Sequence, residues 1–239
     1  MLFLVGLGIG SEITPRAKSA LDKSDFIVGY KRYISKIEPY IQGKKILSTG
    51  MKEERERIQA AVHAAQVGNI VSLVSSGDAG VYGMSGPAIQ YAHSIGYTGG
   101  IEIIPGITAA NAAGAVLGAP LMLDYAVISL SDLLVPWSQI ETRLRGAVAG
   151  DFVIVLYNVK SNTRVEPFRK ACIIIREYRH ADTLCGIVWN AGDLNERSVI
   201  TKLSDLELEP IDMRSCVFIG NSSTKQFGSW LVQPRGYML

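Results

Sequence analysis

Ile70-Val-Ser-Leu-Val-Ser-Ser-Gly-Asp-Ala-Gly-Val-Tyr-Gly83 decides how the chain is read. Residues 70–74 form a short, nearly continuous apolar run, the signature of a strand covered on both faces. The run ends abruptly in a glycine-rich turn, where missing side chains let backbone groups come close to a neighbour or a ligand. A helical pattern follows from Gly83 to about Ile95. Strand, glycine turn and helix therefore succeed one another within 26 residues, 70–95.

The same succession recurs on either side. Residues 2–5 read as a strand that runs into Gly6-Leu-Gly-Ile-Gly10, after which Thr14-Pro15 starts a helix, with proline where its missing N–H costs nothing. Residues 101–104 read as a strand running into Pro105-Gly-Ile-Thr-Ala-Ala110. Residues 26–28 and 45–47 add strands, and 53–67 is an amphipathic helix with Ile58, Ala61, Val62 and Ala65 at helical spacing. This alternation predicts a parallel α/β sheet. A second α/β set follows, with strands at 125–130, 152–157, 184–189 and 217–219 and helices at 137–147 and 166–178. Residues 199–201, after a turn at 193–196, read as one arm of a hairpin, which makes the second sheet mixed. The boundary is placed near 118–123, giving an N-terminal domain over 1–120 and a C-terminal domain over 121–239 with a cleft between them. The fold class is α/β, with two α/β domains.

Composition excludes several functions. The 239 residues include 24 basic and 22 acidic side chains, and the halves are alike: 11 basic and 9 acidic before residue 120, 13 and 13 after it. Neither half is a basic module, so nucleic acid is not an expected partner. Cys172, Cys185 and Cys216 are far apart, as are His63, His93 and His180, so no metal site or disulfide framework is expected and a reducing, cytoplasmic setting fits. The N-terminus lacks a positive region and a cleavage site, so no signal peptide is expected. The 21 uncharged residues between Glu102 and Asp124 are interrupted by Pro105, Gly106, Thr108, Asn111, Gly114, Gly118 and Pro120. They read as a buried short helix rather than a membrane span.

The glycine turns invite two readings. A dinucleotide site would need glycine at position 11, where Ser11 stands, and an acidic residue at the end of the second strand, where Gly29-Tyr30 stands. Asp78 could accept from an ammonium group or cap the following helix. The turns after the first, fourth and fifth strands are each weak signals, but their order is specific. Together with Val155-Leu-Tyr-Asn158 and Val188-Trp-Asn-Ala-Gly192, the chain resembles the tetrapyrrole methylases over nearly its whole length. Gly29-Tyr-Lys-Arg-Tyr33, Ile128-Ser-Leu-Ser-Asp-Leu-Leu-Val-Pro-Trp137, Gly220-Asn-Ser-Ser223 and Pro234-Arg-Gly-Tyr237 resemble the precorrin-3B 17-methyltransferase branch of cobalamin biosynthesis.

The resemblance implies S-adenosylmethionine as methyl donor, folded in the interdomain cleft, a precorrin or cobalt-precorrin as substrate, no protein-bound metal, and a homodimer. The N-terminal domain would supply the tetrapyrrole side and part of the cofactor site, the C-terminal domain the rest. By motif position, Gly8 and Ile9 line the cofactor, although position 9 is often proline in the family. Ser76, Gly77, Asp78, Val81 and Tyr82 belong to the same site, with Gly77, Asp78 and Val81 at the methionine end; Asp78-Ala79 departs from the commoner Asp-Pro. Thr108 and Ala109 make contact through backbone and small groups. Asn158, Ala191 and Gly192 face the adenosine, and Ser131 lies near the adenine. Ring contraction, implied by the branch, needs acid–base help, for which Tyr30 is the candidate with Tyr33 as alternative. Lys31, Arg32, Tyr33 and Lys52 are candidates for holding the substrate and its carboxylates, with Lys160 and Arg164 as further cations in strand-end loops. Other acceptors (another precorrin, or uroporphyrinogen III), an NAD-dependent oxidoreductase and a catalytically dead ligand-binding module are the competing readings.

Overall fold

The computed structural model describes residues 1–10 and 12–238; Ser11 and Leu239 lie outside the described residues. Compact packing divides the chain into two units, Met1–Thr108 and Ala109–Leu239.

In the first unit, β1 (Leu2–Gly6), β2 (Phe26–Tyr30), β3 (Lys45–Thr49), β4 (Val71–Ser75) and β5 (Ile101–Ile104) form one sheet in the order β3-β2-β4-β1-β5. Every pairing is parallel. The central strands β1 and β4 are buried throughout, which is why they read as unbroken apolar runs. Alternate side chains serve opposite faces. Leu2, Leu4 and Leu73 pack with Ile58, Ala61, Val62 and Ala88 of α3 (Glu54–Gln66) and α4 (Ser85–Ser94). Phe3, Val5 and Val74 pack with Ala17, Ala20 and Leu21 of α1 (Pro15–Lys23). Thr14 caps α1 by accepting from the Ala17 amide at 3.1 Å, with Pro15 in the first turn, as the Thr-Pro pair predicts. A short helix absent from the sequence reading, α2 (Lys31–Ile37), follows β2 directly. Since all five strands run parallel, the glycine turns after β1, β4 and β5 emerge on one edge of the sheet, together with Tyr30 and Thr49.

The second unit begins with α5 (Ala109–Leu117), whose Ala110, Ala113 and Leu117 are buried with Val155, Val188, Phe218 and Leu231. That packing groups α5 with the C-terminal residues, whereas the sequence reading places the division near 118–123. The β-strand elements continue with β6 (Gly118–Ala119), β7 (Tyr125–Ser129), β8 (Val153–Tyr157), β9 (Leu184–Trp189), β10 (Arg197–Lys202), β11 (Ser215–Ile219), β12 (Lys225–Phe227) and β13 (Trp230–Val232). The main sheet has the order β10-β9-β11-β8-β7. It is mixed as expected: β7 and β8 are parallel, and β11 runs antiparallel to β8 and β9. The β9–β10 hairpin matches the expected one, and β10 is longer than the arm read from sequence. A small sheet, β12-β13-β6, was not anticipated. Helices α6 (Trp137–Ala149) and α7 (Glu166–Arg176) cover the face opposite α5. Among the described residues no helix is long and apolar enough to cross a membrane.

Glycine placement gives a direct test of this packing. A β-carbon on Gly106 would overlap the Gly77 carbonyl oxygen and lie 2.7 Å from the Gly6 carbonyl, whereas one on Gly146, inside α6, would meet open space. Gly106→Ala is expected to destabilise by about 1–3 kcal/mol, as overpacking does. Gly146→Ala should stabilise by about 0.5–1 kcal/mol through helix propensity. Thermal unfolding of the two variants is the measurement, with midpoints moving in opposite directions.

Candidate active site

Three glycine turns on neighbouring strands of the first unit are joined into one crest. Gly8 and Gly77 exchange backbone hydrogen bonds, N–H to carbonyl, at 2.9 and 2.8 Å, and the Leu7 amide donates to the Ser75 carbonyl at 2.9 Å. Both glycines have positive φ, +75° and +64°, which a side chain would strain. Asp78 completes the join. One carboxylate oxygen accepts from the Gly80 amide at 2.7 Å, the other from the Gly106 amide at 2.9 Å, so one side chain ties the β4 turn to the β5 turn.

This alters the reading of Asp78 as a helix cap. Helix α4 starts only at Ser85, with Met84 at its cap position and no side-chain capping bond. The intervening loop is held by Ser75, whose hydroxyl accepts from the Met84 amide at 3.3 Å. Tyr82, in that loop, is more than half exposed and has φ +52°, a conformation that a bulky residue seldom adopts. Val81 beside it is also exposed. A side chain built on Gly77 would enter a space bounded by Ile9, Ile107 and Thr108, each 3.7 Å away. The first unit thus brings Gly8, Ile9, Ser76, Gly77, Asp78, Val81, Tyr82 and Thr108 to one edge of its sheet.

At the same edge, Tyr30 ends β2 and Tyr33 lies in the first turn of α2, their rings edge-to-face at 5.1 Å and 85°. Burial, and secondarily the neighbouring Tyr30, push the Tyr33 phenol above its ordinary range and so favour its protonated form. Lys31, Arg32 and Lys52 are exposed, and Lys52 has φ +68° in the turn after β3.

In the second unit, β7, β8 and β9 run in one direction, and their carboxyl ends carry Ser131, Asn158, Ala191 and Gly192. Asn158 has φ +50°, and its amide donates to the Ser129 hydroxyl at 2.9 Å. The Ser129 hydroxyl also accepts from the Ser131 amide at 3.3 Å. Arg164, read from sequence as a substrate clamp, spends its guanidinium on the Leu130 and Asn158 carbonyls at 2.7 and 2.6 Å. Gly192, at φ +72°, donates its amide to Glu196 at 2.6 Å. Ala109 opens α5, where the next amide, Ala110 N–H, donates to the Tyr157 hydroxyl.

The thiols are not candidates for nucleophilic chemistry. All three cysteines are buried, and burial pushes Cys172 up to about 12 and the other two higher still. No group of three or more metal-ligating side chains occurs among the described residues. Sequence reasoning missed Arg57, buried at the ends of β2 and β3. Its position one turn before Ala61, on the apolar stripe of α3, was the available signal.

A family profile described as Tetrapyrrole (Corrin/Porphyrin) Methylases matches residues 1–207. A Salmonella typhimurium protein named probable cobalt-factor III C(17)-methyltransferase is 42% identical over 241 residues, with both chains fully covered. A 43% identical Archaeoglobus fulgidus relative is named cobalamin biosynthesis protein CbiHC; the match covers 99% of this chain and 52% of that one, so the chain spans about half its length. Among solved structures, the methyltransferase CobJ is 35% identical with a TM-score of 0.92, covering 98% of this chain and 99% of that one. The chain belongs to the tetrapyrrole methylase family.

Proposed function

We propose that the protein transfers a methyl group from S-adenosylmethionine to ring carbon 17 of a cobalt-factor III or precorrin-3 type macrocycle, with ring contraction, in cobalamin biosynthesis. The observation that carries this reading is end-to-end likeness, above 40% identity, to a relative named as a probable cobalt-factor III C(17)-methyltransferase; ring contraction is what the family resemblance adds. That relative's name favours the cobalt-containing ring over the metal-free one. The same reading carries a cytoplasmic homodimer, for which light scattering is the check.

The first unit's crest suits the cofactor in a specific way. A β-carbon on Gly77 would already touch the Ile107 carbonyl oxygen, the Ile9 side chain and the Thr108 backbone at 3.7 Å, so glycine there lets a ligand approach the backbone closely. S-adenosylmethionine, when bound, supplies a methyl group already activated on a sulfonium, so neither a metal nor a nucleophilic side chain is required. The protein's share is alignment, which supplies up to ~7–11 kcal/mol in well-oriented reactions. Gly8, Ile9, Ser76, Gly77, Asp78, Val81, Tyr82 and Thr108 would hold the methionine end. Ala109, Ser131, Asn158, Ala191 and Gly192 would hold the adenosine. Asp78 would act chiefly by fixing the turns, since both of its oxygens already accept backbone amides. Lys31, Arg32 and Lys52 are free of the deep burial that would cost a cation its hydration, and would meet the substrate's carboxylates. Tyr30, with Tyr33 beside it, would donate a hydrogen bond to oxygen during contraction.

Incubating the protein with S-adenosylmethionine and each tetrapyrrole intermediate, then weighing the product, tests the assignment. One added methyl on the cobalt-factor III type ring alone is expected; methylation of a different intermediate, or none, refutes it. Asp78→Asn keeps one acceptor and turns the other into a donor facing an amide. Loss of a charge-assisted bond of about 1.5–3 kcal/mol should weaken S-adenosylhomocysteine binding roughly tenfold or more in calorimetry. Tyr30→Phe should lower turnover on the order of 10²-fold with cofactor affinity intact, the range for a lost proton donor. Unchanged turnover would remove Tyr30 from the chemistry.

A further inference from the structure

Helix α3 carries an arginine where its apolar stripe calls for hydrocarbon. Arg57 is 4% exposed, although it sits one turn before the core residue Ala61. Its guanidinium reaches the carboxyl ends of β2 and β3. Nη1 donates to the Thr49 hydroxyl at 2.6 Å and to the Gly50 carbonyl at 2.7 Å. Nη2 donates to Glu54 at 3.0 Å. The guanidinium carbon stands 5.9 Å from the centre of the Tyr30 ring, which in turn meets Tyr33. The Gly50 amide is itself tied to Glu53 at 2.7 Å, so the turn that presents Lys52 closes on the same arginine.

Stability does not account for this residue. Its ion-pair partner Glu54 has a side chain 58% exposed, and a pair open to water on that side contributes little net stability. Here the Nε–H is also buried with no partner, an arrangement that costs free energy. What arginine offers is shape: a planar, permanently charged fork that holds a hydroxyl, a carbonyl and an aromatic ring at fixed mutual angles. Lysine, with one charged point on a flexible stem, offers no such fork.

We propose that Arg57 is a positioning residue for the macrocycle-binding end of the site, locking the turn after β3 against the Tyr30–Tyr33 pair. The inference rests on the methyltransferase reading and deepens it by naming what sets the geometry of those phenols and of Lys52. It also has an electrostatic consequence. Burial raises Tyr33 most, Tyr30 adds to that, and Arg57 opposes both, so removing Arg57 moves the phenol further up.

The test uses Arg57→Met and Arg57→Lys in the full-length protein. Three measurements are needed: S-adenosylhomocysteine binding by calorimetry, kcat and KM for the tetrapyrrole, and tyrosine ionisation by absorbance. Arg57→Met should leave cofactor affinity unchanged, lower kcat/KM for the tetrapyrrole on the order of 10- to 100-fold, and shift one tyrosine to higher pH. Arg57→Lys should retain the parental tyrosine titration yet recover little of kcat/KM, because charge is kept and the fork is lost. Parental kcat/KM in Arg57→Met, or cofactor affinity and turnover falling together, overturns the proposal. Should Arg57→Met fail to fold, Thr49→Val, which removes one partner of the fork, must show the same split in smaller degree; no change in it overturns the proposal. If the parent protein methylates no tetrapyrrole, the methyltransferase reading falls by itself. The tyrosine titration then decides Arg57 alone: a shift supports the coupling, and its absence ends it.

Discussion

Two backbone amides, those of Gly80 and Gly106, share the carboxylate of Asp78, and the geometry of the first unit's crest follows from that contact. A parallel sheet delivers its turns to a common edge but does not fix them relative to one another. Without a tie, three glycine-rich segments would sample many conformations, and ordering them would cost any ligand binding energy. The Asp78 bridge and the Gly8–Gly77 pair remove that freedom before a ligand arrives. The tie also explains the small residues. Gly6 and Gly106 approach so closely that a β-carbon on either would press on the other's backbone.

The second unit reaches a similar end with the opposite charge. Arg164 binds the carbonyls of Leu130 and Asn158, joining the turns after β7 and β8 as Asp78 joins those after β4 and β5. In each unit one ionised side chain is spent on backbone groups of opposite partial charge. Such bonds are short and strong. Arg57 extends the same logic to the far end of the first unit's crest, where it binds the Thr49 hydroxyl and the Gly50 carbonyl.

What the sequence revealed depended on whether the relevant energy was local. Buried central strands such as β1 and β4 advertise themselves, because covering both faces demands apolar side chains in succession. Thr14-Pro15 likewise declares a helix start, since cap and first turn are adjacent in sequence. Helix α2 was missed for the converse reason. It is seven residues long and only Ile37 is fully buried, so its apolar stripe of Tyr33, Ile34 and Ile37 is barely one turn and too short to stand out. Strands β12 and β13 are three residues each, with β12 wholly exposed, so neither carries an alternating pattern. The glycine turns were legible as a set, but the duty of Asp78 was not: its partners lie 2 and 28 residues away, and the distant one is a tertiary contact. Arg164, read as a candidate clamp for substrate carboxylates, instead holds carbonyls 6 and 34 residues distant, a tertiary duty that the sequence does not display.

The proposed cofactor site is the set of welded turns of the first unit. Amide hydrogen exchange with and without S-adenosylhomocysteine addresses it most directly, because each turn reports separately. Added protection should concentrate in residues 6–10, 76–83 and 105–108 and be absent along the outer strand β3. Unchanged exchange in those three segments at saturating ligand, with protection appearing elsewhere in the chain, would contradict it.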